Sequence, residues 1–455
     1  MKRRTLVISL LTVVSLIAVA IALKLRLDAK SNHRLNVLIV SACSLRMDRL
    51  GVFNPDIKLT PKIDAWAKGS FQFTNGIAER PWQNYTFESM DVVPPDYLVK
   101  LGYRDFTSRH GAYEFYIPPV EKKDKNLWYW SETDVLNYAT GLAKMKQLLS
   151  KDEPTPFYIF AHLKYMHYPY LDTVNMNDAD WKKLSPKSQE LLAKYRSHPE
   201  KFDVQLPLIE LITNSFSLAK KKMGVKEDVY SVAGLVSDRA RNLRWRNSPG
   251  FKDDIELVKE LYDLKLRRFD DFSSDLLNLY GDKDLQNRTV VIFAGDHGEA
   301  FSEHGVIGHS VNVYDEMLRY PMIVKFPGMD HTQVVDTQIT LRQTALLARK
   351  IVEGEITAEN FVEKLRTLTN DYVLSRNCPD TIRSVRYRSE WKLIKNADSD
   401  QRELYDLKTD PGETKNIAAE NPEMAWKLEE YMVDHQADYE RITARSTAAG
   451  VCTAN

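Results

Sequence analysis

The chain predicts an α/β fold: a central, mostly parallel sheet covered by helices on both faces, followed by a small C-terminal α+β part. Three observations predict it. Thr289 to Ala294 is a short β-branched and aromatic run of the kind that forms a buried strand. Before it, roughly Asp254 to Tyr280 carries Val258, Tyr262, Leu266, Phe269, Phe272 and Leu276 at three- and four-residue steps, one apolar helical stripe. After it come Asp296 and His297 between Gly295 and Gly298, a carboxylate and an imidazole on a turn relaxed by glycine. That is the strand end at which open α/β sheets place ligands, and helix, strand, ligand loop is the order of a doubly covered sheet.

Taken in order, the chain opens with Lys2, Arg3 and Arg4 and then an uncharged apolar run from Thr5 to Leu23. Nineteen such residues nearly cross a bilayer as a helix and exceed a usual cleavable segment, so residues 1–30 are expected to be a cytoplasmic basic end and a membrane anchor. Ala18-Val19-Ala20 and Ala20-Ile21-Ala22 offer cleavage sites that would make it a signal segment instead. Either way the body is expected outside the cytoplasm. Val37 to Val40 reads as a strand with a polar loop straight after it, Cys43 to Asp48. Thr133 to Leu149 reads as a sheet-packing helix through Leu136, Ala139, Leu142, Met145 and Leu149, with Gly141 as its weak point. The aromatic cluster at Trp128, Tyr129 and Trp130 suits packing or stacking on sugar rings.

Asp172 to Gly250 is charged, carries the basic stretches Lys220 to Lys222 and Arg239 to Arg246, and is expected to be a helical insertion. A turn is expected at Asp282 to Asn287. Past Gly328, Thr340 to Val352 reads as a helix and Ser384 to Lys395 as strands. The turn Asp410-Pro411-Gly412 precedes an amphipathic closing helix, Pro422 to Arg441. The expected division is a main domain over 31–375 and a C-terminal strand pair and helix over 376–455. Lys plus Arg and Asp plus Glu both total 63, so nothing points to a polyanion partner such as nucleic acid. Of three cysteines, Cys378 and Cys452 are the expected pair in an oxidising compartment, which leaves Cys43 alone.

The densest chemistry lies in TVVIFAGDHGEAFSEHGVIGHSVNVYDEMLRYPMIVKFPG, which adds His304 and His309 to Asp296 and His297 within fourteen residues. This block resembles the second metal-binding block of the sulfatases, within the alkaline phosphatase superfamily. RLNVLIVSACSLRMDRLG, from Arg34, resembles the opening strand and first metal loop, and TPKIDAWAKGSFQFTNGIAE the helix and strand that follow. FYIFAHLKYMHYPY is similar to the strand that ends in a substrate-facing histidine, here His167. SVRYRSEWKLIKN and ELYDLKTDPGETKNIA resemble the closing strand pair and final turn. The resemblance runs from about Arg34 to Ala418. It implies a sulfatase-like α/β fold, a divalent metal, and hydrolysis or transfer at a sulfate or phosphate ester of a small molecule, glycan or lipid.

Two positions depart from the pattern. Where the family carries its first metal aspartate this chain has Cys43 and Ser44, and Cys43-Ser-Leu-Arg46 is not the family's Cys-x-Pro-x-Arg motif. Anchoring on Pro81 and Trp82 places Gln83 at the nucleophile position, where an amide cannot form an ester intermediate. Thr86, three residues on, offers a hydroxyl within the sequon Asn84-Tyr85-Thr86, and Phe87 stands where the family has arginine. A thiolate is a poor ligand for calcium and a good one for zinc, so the metal is expected to be zinc or to be absent. Cys43, Asp296 and His297 would form a three-ligand zinc site with a fourth position open to water. His309 and His167, with His304 nearby, would hold anionic oxygens or protonate a leaving group, and Arg46 would help bind substrate. The alternatives are a decayed site that binds an anionic glycan or lipid without turnover, and a relative of the phosphoglycerol or phosphoethanolamine transferases.

Overall fold

The computed structural model describes residues 34–81, 100–101, 143, 145–146, 149, 156–167, 170, 176–197, 239–377, 381–397 and 399–438. The N-terminal run, Gln83 and Thr86, the aromatic cluster at 128–130, Lys220 to Lys222, Cys378 and Cys452 lie outside the described residues. So does most of the helix expected over 133–149, of which Met145 and Leu149 are described and buried. Among the described residues no helix is long and apolar enough to cross a membrane.

Seven strands form the central sheet: β1 (Asn36–Ala42), β2 (Phe71–Ile77), β3 (Tyr158–Leu163), β4 (Thr289–Gly295), β7 (Arg319–Lys325), β8 (Gln333–Val335) and β9 (Ile339–Thr340). A two-stranded hairpin, β5 (Ala300–Phe301) with β6 (Ile307–Gly308), stands between β4 and β7 in the chain. The sheet order is β3-β1-β4-β7-β2-β8, with β9 also on β2. β1 runs parallel to β3 and β4, and β2 parallel to β8 and β9; β7 is antiparallel to both of its neighbours. All seven residues of β1 and of β4 are buried, as expected of strands covered on both faces.

The two faces separate cleanly by strand alternation. Leu38, Val40 and Ala42 of β1 and Val291 and Phe293 of β4 join one core, against the helix Phe251–Leu277. Val37 and Ile39, with Val290, Ile292 and Ala294, join the other, beneath the helices Leu341–Val352 and Phe361–Leu368. The 27-residue helix carries the apolar stripe read from the sequence; Val258, Tyr262, Leu266, Phe269 and Leu276 are fully buried. It begins three residues earlier than expected, at Phe251, whose ring packs edge-on against Trp245 at 5.2 Å. It stops at Leu277, because Leu279 and Tyr280 adopt left-handed φ values of 49° and 54°. The turn expected at Asp282 to Asn287 is a helical turn, Lys283–Gln286, capped by the Asp282 carboxylate on the N–H groups of Asp284 and Leu285. Thr340 and Gln343 form a capping box that starts the helix Leu341–Val352.

The C-terminal part is a four-stranded antiparallel sheet, β10 (Tyr372–Arg376), β11 (Ile382–Tyr387), β12 (Trp391–Asn396) and β13 (Arg402–Asp406). The helix Pro422–Asp434 packs on it through Ala425, Leu428 and Met432. Buried charge ties this sheet to the main one. Lys392 of β12 contacts Asp315 at 2.8 Å and Glu413 at 2.7 Å, and Arg386 of β11 also bonds Asp315. The Glu413 carboxylate in turn accepts the backbone N–H of Asp315 at 2.6 Å. Burial pushes the Glu413 carboxyl up from its usual range and Lys392 only partly offsets it; at Asp315 the cations Arg386 and Lys392 outweigh burial and hold the carboxyl down. Removing the one cation that both carboxylates share leaves Glu413 buried beside Asp315, with Arg386 alone to offset the pair. Lys392→Met is therefore expected to cost about 3–5 kcal/mol in urea-unfolding measurements; a loss under about 1 kcal/mol would show that the pair does not hold the sheets together.

Candidate active site

Strand register builds the site. In the parallel order β3-β1-β4, Ser41 lies level with His162 on one side and with Ala294 on the other. Side chains level with one another in a parallel sheet share a face, and residues two further along share it too. Cys43 lies two past Ser41 and Asp296 two past Ala294, so His162, Cys43 and Asp296 converge at the carboxyl ends of three adjacent strands. The backbone continues the ladder into the loops: Cys43 N–H donates to Leu163 O at 2.9 Å and Asp296 N–H to Ala42 O at 3.1 Å. Donor atoms of Cys43, His162 and Asp296 all lie within 4.8 Å of one another, and all three side chains are buried.

Each member is held in place by local geometry. Asp296 Oδ1 accepts the N–H of Ser44 at 2.9 Å and of His297 at 2.7 Å, while Oδ2 is buried and accepts no hydrogen bond among the described residues. Ser44 reaches that position with a left-handed φ of 54°, and Tyr262 fixes the turn from the opposite face of the sheet. Its hydroxyl donates to Ser44 O at 2.8 Å and accepts Arg46 N–H at 2.9 Å. His162 Nδ1 is 3.1 Å from Ser41 Oγ, which turns Nε2 toward Asp296 Oδ2, 3.9 Å away. Burial pushes the His162 imidazole down to about 4 against the pull of Asp296, so the ring is neutral and able to serve as a ligand.

His297 is also neutral, lowered chiefly by burial. Its Nδ1–H donates to Gly298 O at 2.7 Å, so Nε2 presents a lone pair, buried and with no hydrogen-bond partner among the described residues. Gly298 is required by space: an added Cβ would lie 2.0 Å from Glu316 O. The thiol of Cys43, the neutral imidazole of His162 and the Asp296 carboxylate with its orphaned oxygen fit a divalent metal, since such buried polar atoms are costly when nothing pairs with them.

Beside this group the imidazoles form a row. The His297 and His309 rings are 4.5 Å apart and the His309 and His167 rings 5.0 Å. His309 Nδ1 lies 3.1 and 3.3 Å from the two carboxylate oxygens of Glu299, and although burial opposes protonation, that carboxylate raises the His309 pKa. Arg46 and His304 stand apart from the row. The Arg46 guanidinium is shared between Asp48, at 2.8 Å through two bonds, Glu303 and the carbonyl of Glu299, and lies over the Phe301 ring. His304 bonds Glu316 through Nδ1 at 2.8 Å and Glu413 O through Nε2 at 3.1 Å, and stacks on Tyr314 at 3.6 Å. Both line a separate cleft of about 360 Å³ with Asp48, Glu303, Arg319 and Glu413.

Of the residues the sequence singled out, Cys43 and Asp296 share one three-donor group, whose third donor is His162 where His297 was expected, and His297, His309 and His167 form the row beside it. It missed His162 and Glu299. His162 is an imidazole inside an otherwise apolar strand, a costly placement without a partner, and that signal stood in the sequence. Glu299 closes the run Asp296-His297-Gly298-Glu299, but its partner becomes visible only when β5 and β6 fold His309 back onto it.

The Sulfatase family model matches residues 78–353, more than half of the chain. The chain belongs to the sulfatase family. Among similar sulfatases, Arylsulfatase K of Gallus gallus is 25 % identical over 200 residues, 40 % of this chain and 37 % of that protein. The Delta 4,5-hexuronate-2-O-sulfatase of Bacteroides thetaiotaomicron is 28 % identical over 178 residues, 35 % of each chain. The chain thus spans about a third of the length of these two relatives. A solved structure described as in complex with its substrate D-glucosamine-2-N,6-O-disulfate superposes with a TM-score of 0.59 at 14 % identity, covering 90 % of this chain and 98 % of that one. A phosphonate monoester hydrolase of Agrobacterium radiobacter superposes with a TM-score of 0.54 at 14 % identity, covering 89 % and 96 %. The sulfatase-like α/β fold expected from the sequence is therefore the fold observed.

The His304 contacts have a pH consequence. Burial disfavours the charged ring, but the Glu316 carboxylate outweighs it and raises the His304 pKa to about 9. A folded-state pKa above the unfolded value of about 6.5 gives stability that is fully present below pH ~6.5 and lost as pH rises through about 9. Thermal melts of wild type and His304→Gln are expected to differ most below pH ~6.5 and to converge as pH rises through about 9; a gap independent of pH would show that the ring is not charged in the fold.

Proposed function

We propose that this sulfatase-family chain hydrolyses sulfate esters of sugars at a divalent metal held by Cys43, His162 and Asp296, with His297 beside them. The meeting of those three donor atoms within 4.8 Å, at the carboxyl ends of β3, β1 and β4, carries the reading. Thiolate and imidazole ligands favour zinc over calcium, which takes oxygen donors. The names of similar proteins support a sulfated sugar as substrate: a hexuronate-2-O-sulfatase among the relatives, and a glucosamine disulfate complex among the solved structures.

A metal bound there would polarise the sulfate ester and lower the pKa of water. The chain's own residues do the rest. Ser44 and His297 N–H groups fix Asp296, and Ser41 fixes the orientation of His162. His309 and His167 would face the sulfate oxygens and the leaving oxygen, where donors stabilise charge that develops in the transition state. With Gln83 at the family's nucleophile position, the reading has water attack sulfur directly. Lys2, Arg3, Arg4 and the apolar run to Leu23 support an extracytoplasmic body on a membrane anchor as part of the same proposal. Gln83 also favours a second reading, in which the site binds a sulfated or phosphorylated ligand without turning it over.

Metal content by mass spectrometry of the detergent-purified chain, with zinc resupplied, tests the first reading. About one zinc per chain is expected, lost in Cys43→Ser and in His162→Ala, together with release of sulfate from sulfated monosaccharides and not of phosphate from phosphate esters. A folded chain that binds no metal would sink the metal-hydrolase reading. Bound zinc without turnover of any ester would leave the binding reading.

A further inference from the structure

Glu299 has no part in the proposed ligand set, yet its side chain is fully buried. Both carboxylate oxygens face His309 Nδ1, at 3.1 and 3.3 Å. A carboxylate buried to that extent needs a donor that compensates its lost hydration. His309 Nδ1–H is the donor the structure supplies. Because Nδ1 and Nε2 lie on opposite edges of an imidazole, this bond also decides where the other nitrogen points. The His309 ring is set between the rings of His297, at 4.5 Å, and His167, at 5.0 Å, so its far edge belongs to the row that borders Cys43, His162 and Asp296.

The Glu299 backbone contributes to the same placement. Its carbonyl accepts Arg46 Nη1 at 3.0 Å, and Arg46 is itself braced by Asp48 and Glu303. One residue upstream, Gly298 is pinned by its N–H to Met317 O at 2.8 Å and has no room for a Cβ. The carboxylate is thus mounted on a rigid loop, and the histidine reaches it from the other arm of the β5–β6 hairpin.

We propose that Glu299 is a positioning residue for His309: it takes the Nδ1–H, fixes the ring, and aims Nε2 at the ester oxygen that leaves. This deepens the hydrolase reading and rests on it for its chemistry. In the step, water adds its oxygen to sulfur, the bond from sulfur to the bridging ester oxygen breaks, and His309 Nε2–H passes its proton to that oxygen; of the two protons of the attacking water, one restores His309 and the other leaves to solvent. The products are sulfate and the free sugar hydroxyl. Glu299 exchanges no atom and touches no substrate.

The experiment has two arms on the full chain. In the first, wild type, Glu299→Gln and Glu299→Asp are compared on a sugar O-sulfate, whose alkoxide leaves poorly, and on 4-nitrophenyl sulfate, whose phenolate leaves without help. Glu299→Gln is expected to lower kcat on the sugar ester by about 100-fold or more with KM changed less than about threefold, and to cost about tenfold or less on the aryl ester. Glu299→Asp is expected to recover part of the sugar-ester rate. Equal losses on both esters, or none, would overturn the proposal. In the second arm, long-range proton–nitrogen NMR of the chain labelled with 15N-histidine reads which His309 nitrogen carries hydrogen. Nδ1 protonated in wild type and altered in Glu299→Gln supports the proposal; an unprotonated Nδ1, or a spectrum indifferent to the substitution, overturns it. Should wild type hydrolyse neither ester, the hydrolase reading fails, and the NMR arm alone decides whether Glu299 orients His309.

Discussion

The relative register of three parallel strands is the constraint on which the site depends. His162, Ser41 and Ala294 lie side by side across β3, β1 and β4, and Cys43 and Asp296 extend that row by one step. A slip of one residue in either pairing would turn an entire set of side chains to the opposite face. The apolar cores forbid the slip, because each strand sends Val, Ile, Leu or Phe to both faces, and all of those residues but the half-buried Phe160 are buried. Packing that carries no chemistry thus sets the positions of the groups that do. The same logic reaches through the sheet at Tyr262: a helix on one face holds, by one hydroxyl, the turn that presents a ligand on the other.

A second layer of order comes from buried charge. The stretch after β6 feeds Tyr314 and Asp315 into contact with the C-terminal part, where Tyr314 bonds Glu403 and Asp315 meets Lys392, Arg386 and Glu413. Such pairs are expensive to desolvate, and their value lies in geometric specificity as much as in stability. They fix the start of β7 against the four-stranded sheet. Because Gly298 N–H bonds Met317 O within the same stretch, they also fix the loop that carries Asp296 and His297. The cleft bordered by Arg46, His304 and Glu413 lies along this seam.

Much of this was legible in the sequence, for identifiable reasons. Strands β1 and β4 and the long helix announce themselves by periodicity, because burial on two faces or on one stripe leaves a local pattern. Asp296, His297 and His309 were visible because they crowd one loop, and Cys43 because it follows a strand. His162 was not, since its importance depends on a pairing with Ser41 across 121 residues of intervening chain. Arg46 looked available for substrate from its local surroundings, whereas its guanidinium is occupied in part by Glu303, 257 residues away. Helix ends moved by a few residues for local causes, the left-handed Leu279 and Tyr280 at one end and the packing of Phe251 on Trp245 at the other. The resemblance between motifs supplied the fold, but it could not say which of the chain's own side chains fill the positions where the motif departs.

The cradle of Asp296 has a wider meaning. Its inner oxygen is gripped by two peptide N–H groups, from Ser44 and His297, and by no side chain. Every residue but proline supplies a peptide N–H, so this grip does not draw on the side chains at 44 and 297, although the left-handed φ at 44 disfavours β-branched residues there. The neighbouring position 43 is therefore released from the duty of holding the carboxylate and is free to vary in what it offers. A hard oxygen donor there and a soft sulfur donor would meet the same preformed partner in the same place. On the proposed metal site, the architecture would separate the scaffold of the pocket from its selectivity, so that a single codon at position 43 would retune the character of the ion while the pocket itself stays built.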